Sequence, residues 1–156
     1  MAIVVALNNK RQSRAGLSCV INYVGNDKKT LLQSGEKLVS GINCSPHSAY
    51  NEFMLTKHLH SKANGRYFYH YCQSFSPEEK VTPKTVHEIG VRLAKECFDG
   101  CEVIVGTHIE KIIYTITSSL TVSVLKVERN FIRIKNRLKI SELSPIKYAP
   151  NTVFRL

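Results

Sequence analysis

Between residues 3 and 110 the apolar positions switch repeatedly between a period of two and a period near 3.6, the signatures of strand and helix. Ile3, Val4, Val5, Ala6 and Leu7 form a short apolar run that predicts a first strand, closed by the polar turn Asn8-Asn9-Lys10. Leu17, Val20, Ile21 and Val24 then recur at helical spacing and predict a helix over 13–24, ended by Gly25-Asn26. Residues 38–44 read as a short strand. Ser45 as N-cap with Pro46 at the first helical position predicts a second helix that stops at Asn64-Gly65. Residues 66–75 predict a strand of alternating aromatics. Tyr67, Tyr69 and Tyr71 share one face, Phe68 and His70 the other, so at least one face belongs to the core. Thr82-Pro83 opens a third helix that buries Val86, Ile89, Leu93 and Cys97 and ends at Gly100. Residues 101–110 predict the next strand. This strand–helix alternation implies an α/β fold: a two-layer sandwich of a mostly antiparallel sheet with helices packed on it.

After Lys111 the pattern changes. Residues 112–127 are rich in Thr, Ser, Ile and Val and are strand-prone, but from Val127 no helical stripe or good cap follows, and Pro145 and Pro150 interrupt the end. The chain therefore divides into 1–111 and 112–156, and the sandwich is expected to be incomplete on its C-terminal side. A length of 156 residues suits one domain. No apolar run approaches the roughly 20 residues of a membrane span, and the N-terminus lacks the basic region and cleavage site of a signal peptide. No membrane partner and a cytoplasmic location are expected. Five cysteines without a CxxC pair then read as reduced thiols; Cys97 and Cys101 straddle a helix end and are not expected to hold a metal. The net charge of +10 favours a polyanion partner. Residues 112–156 hold eight Lys/Arg against two acids, hence +6, which leaves only +4 for the first 111.

Four phrases carry a resemblance. They are Val20-Ile21-Asn22-Tyr23-Val24 with Asn26-Asp27-Lys28-Lys29-Thr30; Leu38-Val39-Ser40-Gly41-Ile42-Asn43-Cys44 leading to Glu52-Phe53; His70-Tyr71-Cys72-Gln73-Ser74-Phe75-Ser76-Pro77 running into Val81-Thr82-Pro83 and Glu88-Ile89-Gly90; and Gly106-Thr107-His108-Ile109-Glu110-Lys111. Each is weak alone, but their order across about 110 residues resembles the relaxase/mobilisation nuclease family, whose members nick an origin of transfer in plasmids and integrative elements. The resemblance implies a metal-dependent DNA endonuclease of the His-hydrophobic-His type, serving conjugative transfer. Its partners would be single-stranded DNA at the origin of transfer and an accessory mobilisation protein.

Family members continue beyond the equivalent of Lys111 with a His-hydrophobic-His-Asn-His phrase, whose alternate residues face one way on a strand and converge on a divalent cation, Mg or Mn. This chain has no histidine after His108. Codons for residues 112 to about 123 can nevertheless be chosen so that the next frame spells Asp-His-Ile-His-Asn-His-Phe-Ile-Ile-Asn-Ser-Val. Two later stretches yield further family-like phrases in that frame. The expectation is a relaxase truncated by a frameshift near codon 112, with catalysis absent or very weak. A basic single-stranded DNA-binding remnant is the alternative.

Under the resemblance Tyr23 is the nucleophile, leaving a 5′-phosphotyrosyl link and a free 3′-hydroxyl. By position alone Tyr23 reads as a boundary tyrosine covering the core. His108 would be a metal ligand and Glu110, on the same strand face, would orient or deprotonate a nearby group. Without the phrase the two read as a polar pair on an exposed strand. His70, Gln73 and Ser74 are candidates for contacting DNA, weighed evenly against outward polar residues of a packed strand. His58-Leu59-His60 spells a His-hydrophobic-His phrase, but inside the second predicted helix its imidazoles point about 200° apart, so it cannot replace the missing pair.

Overall fold

The computed structural model describes residues 2–7, 12–61, 65–75, 79, 81–109, 114–120 and 152–155. Ten elements follow in order: β1 Ala2–Leu7, α1 Arg14–Val24, α2 Asp27–Thr30, β2 Val39–Ile42, α3 Ala49–Leu59, β3 Tyr69–Ser74, α4 Pro83–Cys97, β4 Val103–Ile109, β5 Tyr114–Leu120 and β6 Thr152–Arg155. The strands make one sheet in the order β2-β4-β5-β3-β1-β6. Every described pairing is antiparallel except β1 with β6.

The helices form where cap and stripe coincide. Ser13 caps α1, its hydroxyl accepting from Gly16 N–H at 3.0 Å, and Leu17 and Val24 are fully buried. Gly25 closes the helix by donating to the Ile21 carbonyl at 2.9 Å. Thr82 caps α4 in the same way, with Pro83 at its start, and Val86, Ile89, Leu93 and Cys97 are its buried face as expected. Burying each of the three aliphatic side chains stabilises the domain by roughly 1.5–3 kcal/mol.

The expected α/β sandwich is present, with an addition: helices lie on both faces of the sheet. Val103 and Val105 point into a cluster with α4, Tyr71 and Phe75. Ile104 points the other way, to Leu17 and Val24 of α1 and Ala49 and Phe53 of α3. Residues 103–108 of β4 are all buried in consequence. The aromatic strand also has core on both sides, Tyr71 beneath α4 and Phe68 beneath α1 and α3.

The bounds of α3 and the start of β3 differ from the sequence reading, and two of these differences come from side-chain hydrogen bonds. Helix α3 starts after Ser48 rather than Ser45, because the Glu52 carboxylate reaches back to the Ser45 N–H at 3.1 Å and to the Ser48 hydroxyl. It ends at Leu59, and Ser61 turns the chain with a φ of 51°. Strand β3 begins at Tyr69 because the Gln12 amide occupies the backbone before it, accepting from Tyr67 N–H at 2.8 Å and donating to the Phe68 carbonyl at 3.2 Å.

Candidate nucleic-acid site at the end of α1

Tyr23 is placed by a glycine. A Cβ on Gly106 would lie 2.3 Å from the Val24 carbonyl oxygen and 2.7 Å from its Cγ1, so the last turn of α1 rests directly on β4. That approach brings Tyr23 over His108, two residues on along the same strand face. The rings meet edge to face, their centroids 4.8 Å apart at 79°. The Tyr23 ring also meets His70 of β3, at 6.3 Å and 71°. Tyr23 is 42% exposed, while His108 and His70 are buried beneath it. Asn26 caps α2, accepting from Lys28 N–H at 3.0 Å, and this short turn carries the Lys29 ammonium to 4.9 Å from the Tyr23 ring centroid.

The two imidazoles differ in bonding. His108 Nε2 lies 3.1 Å from the Tyr23 carbonyl oxygen. A carbonyl only accepts, so Nε2 carries a proton. Among the described residues His70 Nε2 is buried without a hydrogen-bond partner. Burial first, and then the neighbouring His108, push the His70 imidazole down to about 4. It is therefore neutral at physiological pH.

Behind His108, on the α4 face, His87 links β2 and β4. Its Nε2 pairs with Ser40 Oγ at 2.8 Å and its Nδ1 with Thr107 Oγ1 at 2.9 Å. Burial lowers the His87 pKa, against the opposing pull of Glu36 and Glu88.

The structure gathers some of the expected residues and separates others. Tyr23, His70 and His108 form one cluster. Ser74 is half-buried, 3.8 Å from Cys72 Sγ on the His70 face, and the register sets it opposite Thr115, which also faces His108 across the ladder. Gln73 lies on the other face, 2% exposed between Tyr71 and Phe75 under α4, with its Oε1 unpartnered. It is not brought to Tyr23. Residues three apart on a strand face opposite ways, so this separation was readable from the tyrosine alternation. Glu110 lies outside the described residues. His58 is exposed in the last turn of α3 and His60 follows as its C-cap; neither joins the cluster. Lys29 belongs to the first of the four phrases, and the signal for its position is Asn26, a helix cap one turn before it.

The donor set of the described residues does not fit a tightly held divalent cation. Among the described residues no three His, Cys, Asp or Glu side chains stand close enough to share one ion. The described residues of the cluster offer two imidazoles, both packed against the Tyr23 ring, and two neutral nitrogen donors alone make a weak site.

All five cysteines are free thiols, and Cys44 is pushed up to about 11, chiefly by burial and then by Glu102 and Glu52. No helix among the described residues is long and apolar enough to cross a membrane.

A family model described as relaxase, MobA/VirD2-like, nuclease domain, matches residues 23–113, more than half of the chain. The protein rlx of Staphylococcus aureus is 38% identical over 111 residues, covering 71% of this chain and 30% of rlx. The group II intron-interrupted relaxase LtrB of Lactococcus lactis subsp. cremoris is 29% identical over 121 residues, covering 61% of this chain and 21% of LtrB. The chain thus spans less than a third of the length of these relatives. No solved structure matches it. With the match running from Tyr23 past His70 and His108, this chain belongs to the relaxase family, as a MobA/VirD2-like nuclease domain.

Proposed function

We propose that the chain presents the nucleophile of a relaxase to single-stranded DNA at an origin of transfer, and that its own nicking activity is absent or very weak. The observation that carries this reading is the Tyr23 ring, exposed at the end of α1 and packed edge-on against His108 and His70. In the reaction the Tyr23 Oη–P bond forms as the P–O3′ bond breaks. The phenol proton passes to an acceptor and the released O3′ takes one up, so one phosphodiester replaces another and its energy is kept for rejoining. In this proposal His108 is the candidate ligand, Glu110 the proton-handling group and His70 and Ser74 the DNA contacts, whereas Gln73, buried on the α4 face, would reach DNA only if that face opened. A cytoplasmic location and an accessory mobilisation protein belong to the same proposal.

Weak activity follows from strand β5. The register sets Thr115, Thr117 and Ser119 opposite His108, Gly106 and Ile104, and none of β5 is histidine. The resemblance calls for a histidine-rich strand after His108. We ascribe the difference to a reading frame shifted near codon 112, in keeping with a family match that ends at residue 113. Sequencing the gene tests this; a coding frame that cannot spell the His-hydrophobic-His-Asn-His phrase sinks it.

The activity is tested on an origin-of-transfer oligonucleotide with Mg²⁺ or Mn²⁺. Little or no covalent protein–DNA product is expected. Robust cleavage that disappears in Tyr23→Phe would overturn the claim of weak activity while keeping Tyr23 as nucleophile. A second reading, a non-catalytic single-stranded DNA-binding protein, is favoured by the Lys29 ammonium beside the exposed Tyr23 ring. Salt-dependent binding without cleavage supports it.

A further inference from the structure

A groove of about 470 Å³ opens between α1, α3 and the segment leading into β3. It is separate from the Tyr23 cluster. Arg14, on its rim, and Tyr23 are nine residues apart on α1, which sets them about half a turn around the helix axis and roughly 14 Å along it. Tyr50 and Tyr67 line the groove, together with the apolar Met54 and Leu55 and the His58 imidazole. Arg14 and Lys57 line it too, and among the described residues no carboxylate does. The Lys57 ammonium donates to the Arg66 carbonyl at 3.0 Å and sits 4.4 Å from the Tyr67 ring centroid, so that wall is fixed before any ligand arrives.

We propose that this groove is a second subsite for single-stranded DNA, taking one unstacked base against Tyr50 and Tyr67 and its phosphate at Arg14. The inference rests on the reading that the chain binds single-stranded DNA. Aromatic faces with cations along one edge are the chemistry that holds an unpaired strand, because every base has a face to stack and every link a negative charge. The groove's volume lies in the usual range of small-ligand pockets, roughly 300–1,000 Å³. Asn51, exposed on its rim, both donates and accepts and can meet a base edge. The separation of roughly 14 Å along α1, with half a turn around its axis, keeps the groove clear of the Tyr23 ring. The groove therefore holds a nucleotide away from the scissile phosphate and contributes affinity rather than chemistry.

The test is fluorescence anisotropy of a labelled oligothymidylate with the full chain. Arg14→Glu and Tyr50→Ala are each expected to weaken binding about tenfold. Arg92→Glu, the same charge change on exposed α4, is expected to change it less than about twofold. Photocrosslinking of a 5-iodouracil oligonucleotide is expected to mark Tyr50 or Tyr67. Equal losses from Arg14→Glu and Arg92→Glu would reduce the effect to overall charge and overturn the subsite. So would unchanged affinity in Arg14→Glu, which would leave the groove to a protein partner while DNA binding stands. If the parent chain binds no oligonucleotide at low salt, the DNA-binding reading fails and takes the subsite with it. Because Arg14 is exposed, this arm stands even if Tyr50→Ala unfolds.

Discussion

Tyr23 rests on two imidazoles that are bonded differently: His108 is tied to the Tyr23 carbonyl, whereas His70 Nε2 has no hydrogen-bond partner among the described residues. An unpaired buried polar atom costs about 1–3 kcal/mol, a cost a purely structural position avoids by carrying an apolar side chain. It also makes the domain acid-sensitive. The His70 pKa in the folded chain, about 4, lies below its ordinary 6.5. Above pH 6.5 the ring is neutral in both folded and unfolded chains. As pH falls from 6.5 towards 4 the unfolded chain takes up the proton and the folded one does not, so stability is lost, by about 3 kcal/mol at pH 4. His70→Leu is expected to flatten that part of the profile, measured by urea unfolding at pH 4.5 and 7. A pH dependence unchanged in the variant would show that His70 is not its source. Of the site residues, Tyr23, His70 and His108 were legible because their phrases name them and strand parity supports their facing. The lack of a partner for His70 among the described residues was not, since it depends on how distant elements pack around the ring.

Helix α1 and strand β4 meet at Gly106, and that meeting sets the position of the cluster. A methyl group there has no room against the Val24 backbone. Gly106→Ala is expected to cost about 3 kcal/mol in urea unfolding, because backbone yields less readily than a flexible side chain. A loss under about 1 kcal/mol would mean that α1 does not sit so close to β4. At this scale the sequence reads well where local signals agree. Ser13 and Thr82-Pro83 mark the starts of α1 and α4 because cap and stripe belong to the same few residues. The start of α3 is misread because Ser45-Pro46 looks like a cap while Glu52 draws the turn tight one step later. The start of β3 depends on Gln12, more than fifty residues earlier in the chain, which no local pattern can announce.

In the whole molecule β5 is the keystone, paired with β4 on one side and β3 on the other. Without it the two halves of the sheet would have no ladder between them. Thr117, opposite both Gly106 and Cys72, is expected to tolerate proline poorly, because proline removes a ladder donor in a central strand. Thr117→Pro should lose the cooperative thermal transition seen by circular dichroism in the parent chain; an unchanged melt would show that β5 is dispensable. The sequence by itself determined the strand–helix order, the buried stripes of α1 and α4, the family phrases and the strand propensity of 112–127, because each is written in the spacing and type of neighbouring residues. Only the tertiary structure decided that helices cover both faces, that β5 lies between β4 and β3, and that Tyr23 sits over His108 and His70 while Gln73 turns away. Those outcomes depend on which distant elements approach closely enough to pack, and here the bare backbone at Gly106 allows the approach.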